Sequence, residues 1–167
     1  MKKIIKGKMI EIIDFYLIQC PVSYKVKERK KVVSLKGLTF EKMRYEKTEV
    51  LKLLHAMKKD INNNIYFVKN AEEAMRIEYQ MKGSLNNNRA FEFIVCTIND
   101  SMSKTKNIFY QIRNCFAHGS FEFNEKKKEY TMISKKNDNF KAIIVLKEST
   151  LIKWISRFEN KDFETNY

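Results

Sequence analysis

Ile108–Phe121, IFYQIRNCFAHGSF, is the stretch on which the fold turns. Up to Ala117 its apolar residues recur every three or four positions, and after Gly119 the period falls to two. With Ile112 set at zero on a helical wheel, Ile108, Phe109, Cys115 and Phe116 fall within roughly 60° of it, an ordinary buried face. Opposite stand Ser103, Lys106, Asn107, Tyr110, Arg113, Asn114, Ala117 and His118. A solvated helix back is usually Lys and Glu. This one carries no acid and reads as a second working surface. Gly119 fits the position just past a helix end.

Working outward, the residues after Gly119 alternate. Phe121 and Phe123, then Tyr130 and Met132, then Phe140, Ala142, Ile144 and Leu146 predict two or three antiparallel strands over about 120–147. Ser149 is expected to cap a last helix, about 150–160, carrying Leu151, Trp154, Ile155 and Phe158. Upstream of a helix at about 104–118, Phe91, Ile94, Val95, Ile98 and Met102 stand at i, i+3, i+4, i+7 and i+11 and predict a helix over about 89–102. Asn70-x-x-Glu73 opens a helix at about 71–82, which stops at Gly83. Thr39 reads as the N-cap of a helix over about 39–62, with Leu38 and Met43 as a staple and Val50, Leu54, Met57 and Ile61 as its stripe. A first helix, about 8–19, carries Met9, Ile13 and Tyr16 and is stopped by Pro21. The basic residues 22–37 read as a long loop or a short hairpin. The sum is one mainly α domain over 1–167, a helical bundle with a small antiparallel β insert before its final helix.

Of the 167 residues 44% are hydrophobic, enough for a real core without staples. The net charge is +13, which fits either a polyanionic partner or plain lysine-based solubility. Cys20, Cys96 and Cys115 form no CxxC, and an odd scattered count reads as reduced thiols. Cys115, on the core face, reads as a small packed hydrophobe. Two histidines, His55 and His118, make a zinc site unexpected, so no metal and no cofactor is predicted. Lys6, Lys8, Glu11 and Asp14 interrupt the first apolar stretch, and no run approaches a membrane span; a cytoplasmic chain without membrane contact is expected. His55 has no matching Arg and reads as structural. Lys126-Lys127-Lys128 reads as a solvated turn or, less readily, an RNA contact.

Chemistry concentrates in Arg113-Asn114-Cys115-Phe116-Ala117-His118. Asn114 and His118 are i, i+4 neighbours on one face. Arg113 and His118 diverge by roughly 140° on an ideal helix, so one helix holds them poorly around a single phosphate, whereas two copies across a two-fold could place both chains' pairs in one cleft. A plainer reading also stands: a cation at a helix C-terminus, followed by a C′ glycine.

This R-N-x3-H string, with its Ala-His-Gly ending, resembles the HEPN superfamily of prokaryotic ribonucleases, marked by R-x(4–6)-H. The resemblance implies a HEPN-like helical bundle and metal-independent RNA cleavage. It assigns His118 as general base or acid, Arg113 to transition-state charge, and Asn114 to orienting His118 or binding a phosphate oxygen. The implied products are a 2′,3′-cyclic phosphate and a 5′-hydroxyl. Lys106 and Tyr110, on the same polar back, are expected to contact RNA. The implied setting is toxin–antitoxin or antiviral defence, with a homodimer and an antitoxin or defence partner protein. Members paired with a nucleotidyltransferase antitoxin carry Tyr two residues after the His; Ser120 stands there, so that neutralisation is not expected. The alternative function is a non-catalytic HEPN-like module for dimerisation or for RNA or protein binding.

Overall fold

Phe93–Thr97, FIVCT, is where the chain departs from a bundle. In the computed structural model, which describes residues 2–19, 22, 39–83 and 91–164, this segment is a strand. Ile94 and Cys96 enter one apolar core, Phe93 and Val95 another. A strand buried on both faces shows a continuous apolar run instead of alternation, and such a run fits helical spacing by accident. The expected helix over about 89–102 is therefore corrected: residues 91–102 contain no helix, and 89–90 lie outside the described residues.

The element order is α1 (Lys2–Ile13, continued by a π-helical turn at Asp14–Gln19), α2 (Lys47–Asp60), β1 (Ile65–Val68), α3 (Ala71–Gly83), β2 (Phe93–Thr97), α4 (Lys104–Ala117), β3 (Phe121–Asn124), β4 (Glu129–Lys136), β5 (Asn139–Lys147) and α5 (Glu148–Asn160). The five strands form one sheet in the order β1-β2-β5-β4-β3. β1 lies parallel to β2, with Ile65 opposite Ile94, and the other pairs are antiparallel. The fold is mixed α/β, which overturns the mainly α, HEPN-like bundle. The strands expected after Gly119 exist, but they are no insert: β5 pairs with β2, Val145 opposite Phe93, and so completes a sheet begun much earlier in the chain.

The layers follow from which residues are apolar on which side. α3 bridges the parallel pair and sets Ala74, Ile77 and Met81 against Val68, Phe93, Val95 and Ile143. The larger core takes Ile94, Cys96, Tyr130, Met132, Ile144 and Leu146 from the other sheet face and packs them on α1, α2, α4 and α5. α3 packs on β1, β2 and β5, and Ile133 on the outer face of β4 stays 43% exposed.

Local signals fared unevenly. Asn70 Oδ1 accepts from Glu73 N at 2.9 Å and opens α3 as expected. Thr39 Oγ1 does accept from Lys42 N at 3.0 Å, but this caps only a turn, and α2 begins at Lys47 after Glu46 N donates to Glu49 Oε2. Ser149 lies inside α5, whose N-cap is Lys147. β1 is four residues between asparagine-bearing turns, too short for a period to show. Of the basic stretch 22–37, all but Val22 lies outside the described residues.

Candidate functional site

α4 carries the string of interest, and both its ends are well closed. Ser103 Oγ accepts from Lys106 N at 3.2 Å. At the other end His118 N donates to Asn114 O (3.0 Å), Gly119 N to Phe116 O (3.4 Å) and Ser120 N to Cys115 O (2.8 Å). This is a Schellman closure, and Gly119 sits at φ +64 to make it. Three of the last four helix carbonyls are thereby occupied, which blunts the negative end of the helix dipole where His118 projects. The Phe116 ring lies 5.0 Å from that of Phe121 and 5.9 Å from that of Tyr130, anchoring the turn to the sheet.

The apolar face of α4 is as expected: Ile108, Phe109, Ile112, Cys115 and Phe116 are all buried. The polar side divides. Ser134 Oγ donates to Gln111 Oε1 (2.6 Å), Gln111 Nε2 to Asn107 Oδ1 (3.1 Å), and Asn107 Nδ2 to Thr97 O (2.9 Å). This buried relay ties α4 to β4 and to the end of β2, so Asn107 is structural. One wheel cannot separate polar residues that meet a sheet from polar residues that meet solvent.

Beyond the relay two cavities flank the end of α4, of about 480 Å3 and about 620 Å3. They share Asn114, His118, Ser134 and Lys135 as a common wall. The larger adds Arg113 and Tyr110 from α4, Asp100 from the turn after β2, and Lys136 and Lys141. The smaller adds Ser120, Glu122 and Thr131. The opening exists because β4 outruns β3. Pairing of β3 covers β4 only as far as Met132, Ile133 N reaches Ser120 O at 3.2 Å, and the strand edge beyond is left to the cleft.

Arg113, Asn114 and His118 thus line one cleft within a single chain, although an ideal helix splays the first and last apart. His118 is the C-cap residue, at φ −99 and ψ 2, and has left the helical path. Tyr110 is half-buried in the same wall. Lys106 is not brought there: it pairs with Glu41 and lies 5.8 Å from the Phe40 ring centroid. Burial pushes the Glu41 carboxyl up, but the hydrogen bond and charge of Lys106 outweigh it and hold the group below its usual range. His55 is exposed on α2, remote in sequence from the cleft and in neither cavity wall.

Several polar and charged groups of the cleft other than Arg113 are unpaired among the described residues. The side chains of Asp100, Asn114, His118, Glu122, Lys135, Lys136 and Lys141 make no hydrogen bond or ion pair with a described residue. Some cations elsewhere are paired, as Arg157 is with Asp60 and Lys161 with Glu49. The two described cysteines offer no nucleophile: burial pushes the Cys115 thiol up to about 12 and that of Cys96 higher still. Among the described residues no three His, Cys, Asp or Glu side chains gather as metal ligands, and no helix is long and apolar enough to cross a membrane.

No family model, curated protein or solved structure matches this chain.

Gln111, Lys135, Asp100 and Glu122 are cleft residues that sequence reasoning missed. Lys135 and Glu122 reach the cleft only through strand register, which no local pattern reports. Asp100 sits in a turn after a strand that helical spacing disguised.

Proposed function

We propose that this chain binds RNA in the cleft at the end of α4 and cleaves it by attack of a 2′-hydroxyl on the adjacent phosphorus. The observation that carries the reading is the convergence of Arg113, Asn114, His118 and Lys135 on one cleft, the last three in the wall that both cavities share. In the reaction the 2′-oxygen bonds to phosphorus and the bond to the 5′-oxygen breaks. One group takes the 2′-hydroxyl proton and a second gives a proton to the departing oxygen. His118 suits one task because an imidazole has one ring nitrogen that can accept a proton and one that can donate. Glu122, in the smaller cavity with His118, suits the other. Arg113 and Lys135 supply fixed positive charge for the phosphorane-like transition state, and Asn114 orients His118 or holds a phosphate oxygen. The products are a 2′,3′-cyclic phosphate and a 5′-hydroxyl. Because the fold is not the bundle that the motif's resemblance implied, the reading rests on the cleft and not on fold likeness. Such an activity suits a toxin or defence element held in check by a partner protein.

The test is incubation of the purified chain with total RNA in EDTA, followed by analysis of fragment ends. Cyclic-phosphate ends are expected with the wild type. His118→Ala should lower the rate by about 10² to 10⁴, the usual worth of a proton-transfer group. Wild-type activity retained in His118→Ala would remove the mechanism. A second reading, RNA binding without cleavage, is favoured by the cations that line the larger cavity, Arg113, Lys135, Lys136 and Lys141, which suffice to hold phosphates. It predicts RNA binding that Arg113→Ala weakens, with no fragments under any condition.

A further inference from the structure

We infer that the larger cavity is a nucleobase subsite selective for guanine, with Asp100 as the reading residue; this rests on the RNA reading above. The cavity has two unlike regions. Arg113 brings charge suited to a phosphate, while the turn after β2 brings Ile98, 47% exposed, and Asp100. Tyr110, half-buried against the larger core, lines the same cavity, and single-stranded bases stack on side chains of this kind.

Asp100 is the single acid among the residues lining this cavity, against Arg113, Lys135, Lys136 and Lys141. In a channel for phosphates alone a carboxylate is a liability, since it repels the ligand. Lys141 lines the same cavity, yet Asp100 forms no ion pair or hydrogen bond with a described residue. Asp100 is exposed in the turn after β2, and its carboxylate, an acceptor-only group, can take two adjacent N–H donors. Guanine presents N1–H and N2–H side by side on its Watson–Crick edge, the edge that RNA-binding proteins commonly read. Adenine and cytosine offer one amino donor beside a ring acceptor, and uracil one N–H between two carbonyls, so each sets an acceptor against the carboxylate.

The experiment is fluorescence anisotropy with short 2′-O-methyl oligonucleotides, which cannot be cleaved, in EDTA at fixed low salt. The strands are identical except for guanine, inosine or adenine at one position in an adenine–uracil background. Guanine should bind about tenfold more tightly than adenine, within the range expected for one bidentate base contact, with inosine between them. Asp100→Asn should erase the preference while circular dichroism shows an unchanged fold. Equal affinity for all three strands would overturn the base site and leave the RNA reading standing. So would an Asp100→Asn chain that binds every strand more tightly by the same factor, since the carboxylate would then only repel phosphate. No binding to any strand would overturn both.

Discussion

Asp60 and Arg157 show what a single buried pair does here. Their side chains are 5% and 3% exposed, and the guanidinium meets the carboxylate twice, Nε to Oδ2 at 2.7 Å and Nη2 to Oδ1 at 2.8 Å. Trp154 Nε1 donates to Oδ2 at 3.1 Å, and Lys153 Nζ lies 2.7 Å from Oδ1. Burial pushes the Asp60 carboxyl up, but the hydrogen bonds and charges of Arg157 and Lys153 outweigh it and hold the group below its ordinary range. A depressed carboxylate pKa stabilises the fold above the unfolded value, and that contribution is lost as pH falls through the folded value. Thermal melts of the wild type should therefore drop steeply below about pH 4, the ordinary aspartate value. Asp60→Asn should flatten that part of the profile and lower stability at neutral pH by about 3–5 kcal/mol, because Arg157 loses its buried carboxylate and keeps only that of Asp162, half-exposed and 3.7 Å away. A mutant whose melting temperature keeps the wild-type slope in acid would show that other carboxylates govern it. Arg157 also donates through Nη1 to Asp162 O (3.1 Å) and Glu164 O (2.8 Å), so the same pair fastens the segment after α5.

Among the elements, β2 packs apolar side chains into both cores, Ile94 and Cys96 on one side and Phe93 and Val95 on the other. Ile94 is fully buried between the helices and its strand neighbours, and Ile94→Ala should cost about 2–5 kcal/mol in denaturant melts. Ile133 is the same residue type in the same sheet, but its outer face meets solvent, and Ile133→Ala should stay within about 0.5 kcal/mol. Equal losses at the two sites would contradict the placement of the helical layers. The contrast also explains what could be read beforehand. β3, β4 and α5 announced themselves because each has one wet face, which leaves a period in the sequence. β2 has no wet face, and Phe91, Ile94, Val95 and Ile98 matched helical spacing because nearly every residue there is apolar. The end of α4 was legible for the opposite reason: Arg113, Asn114 and His118 are polar where a buried helix should not be. Their companions Lys135 and Glu122 were not, since a strand's register is fixed by residues far away in the chain.

At the scale of the whole molecule the charge of +13 should make RNA binding strongly salt-dependent. Neutralising the phosphates that face Arg113, Lys135, Lys136 and Lys141 should give a slope of log affinity against log salt of about −3 for a single strand. Lys135→Glu should make that slope shallower by about 0.7 or more, whereas Lys52→Glu on α2, away from both cavities, should leave it unchanged. A flat slope would mean that the lysines serve solubility. The pairing of β2 with β5, Phe93 opposite Val145, carries a consequence for biosynthesis. On the ribosome FIVCT emerges about fifty residues before its partner, at a stage when α4, β5 and α5 are not yet there to cover it. Tyr16 waits longer still, since its hydroxyl donates to Leu151 O across 135 positions. The nascent chain therefore holds a sticky, β-prone segment open until its last third has been translated, and its yield in the cell depends on how quickly that third arrives.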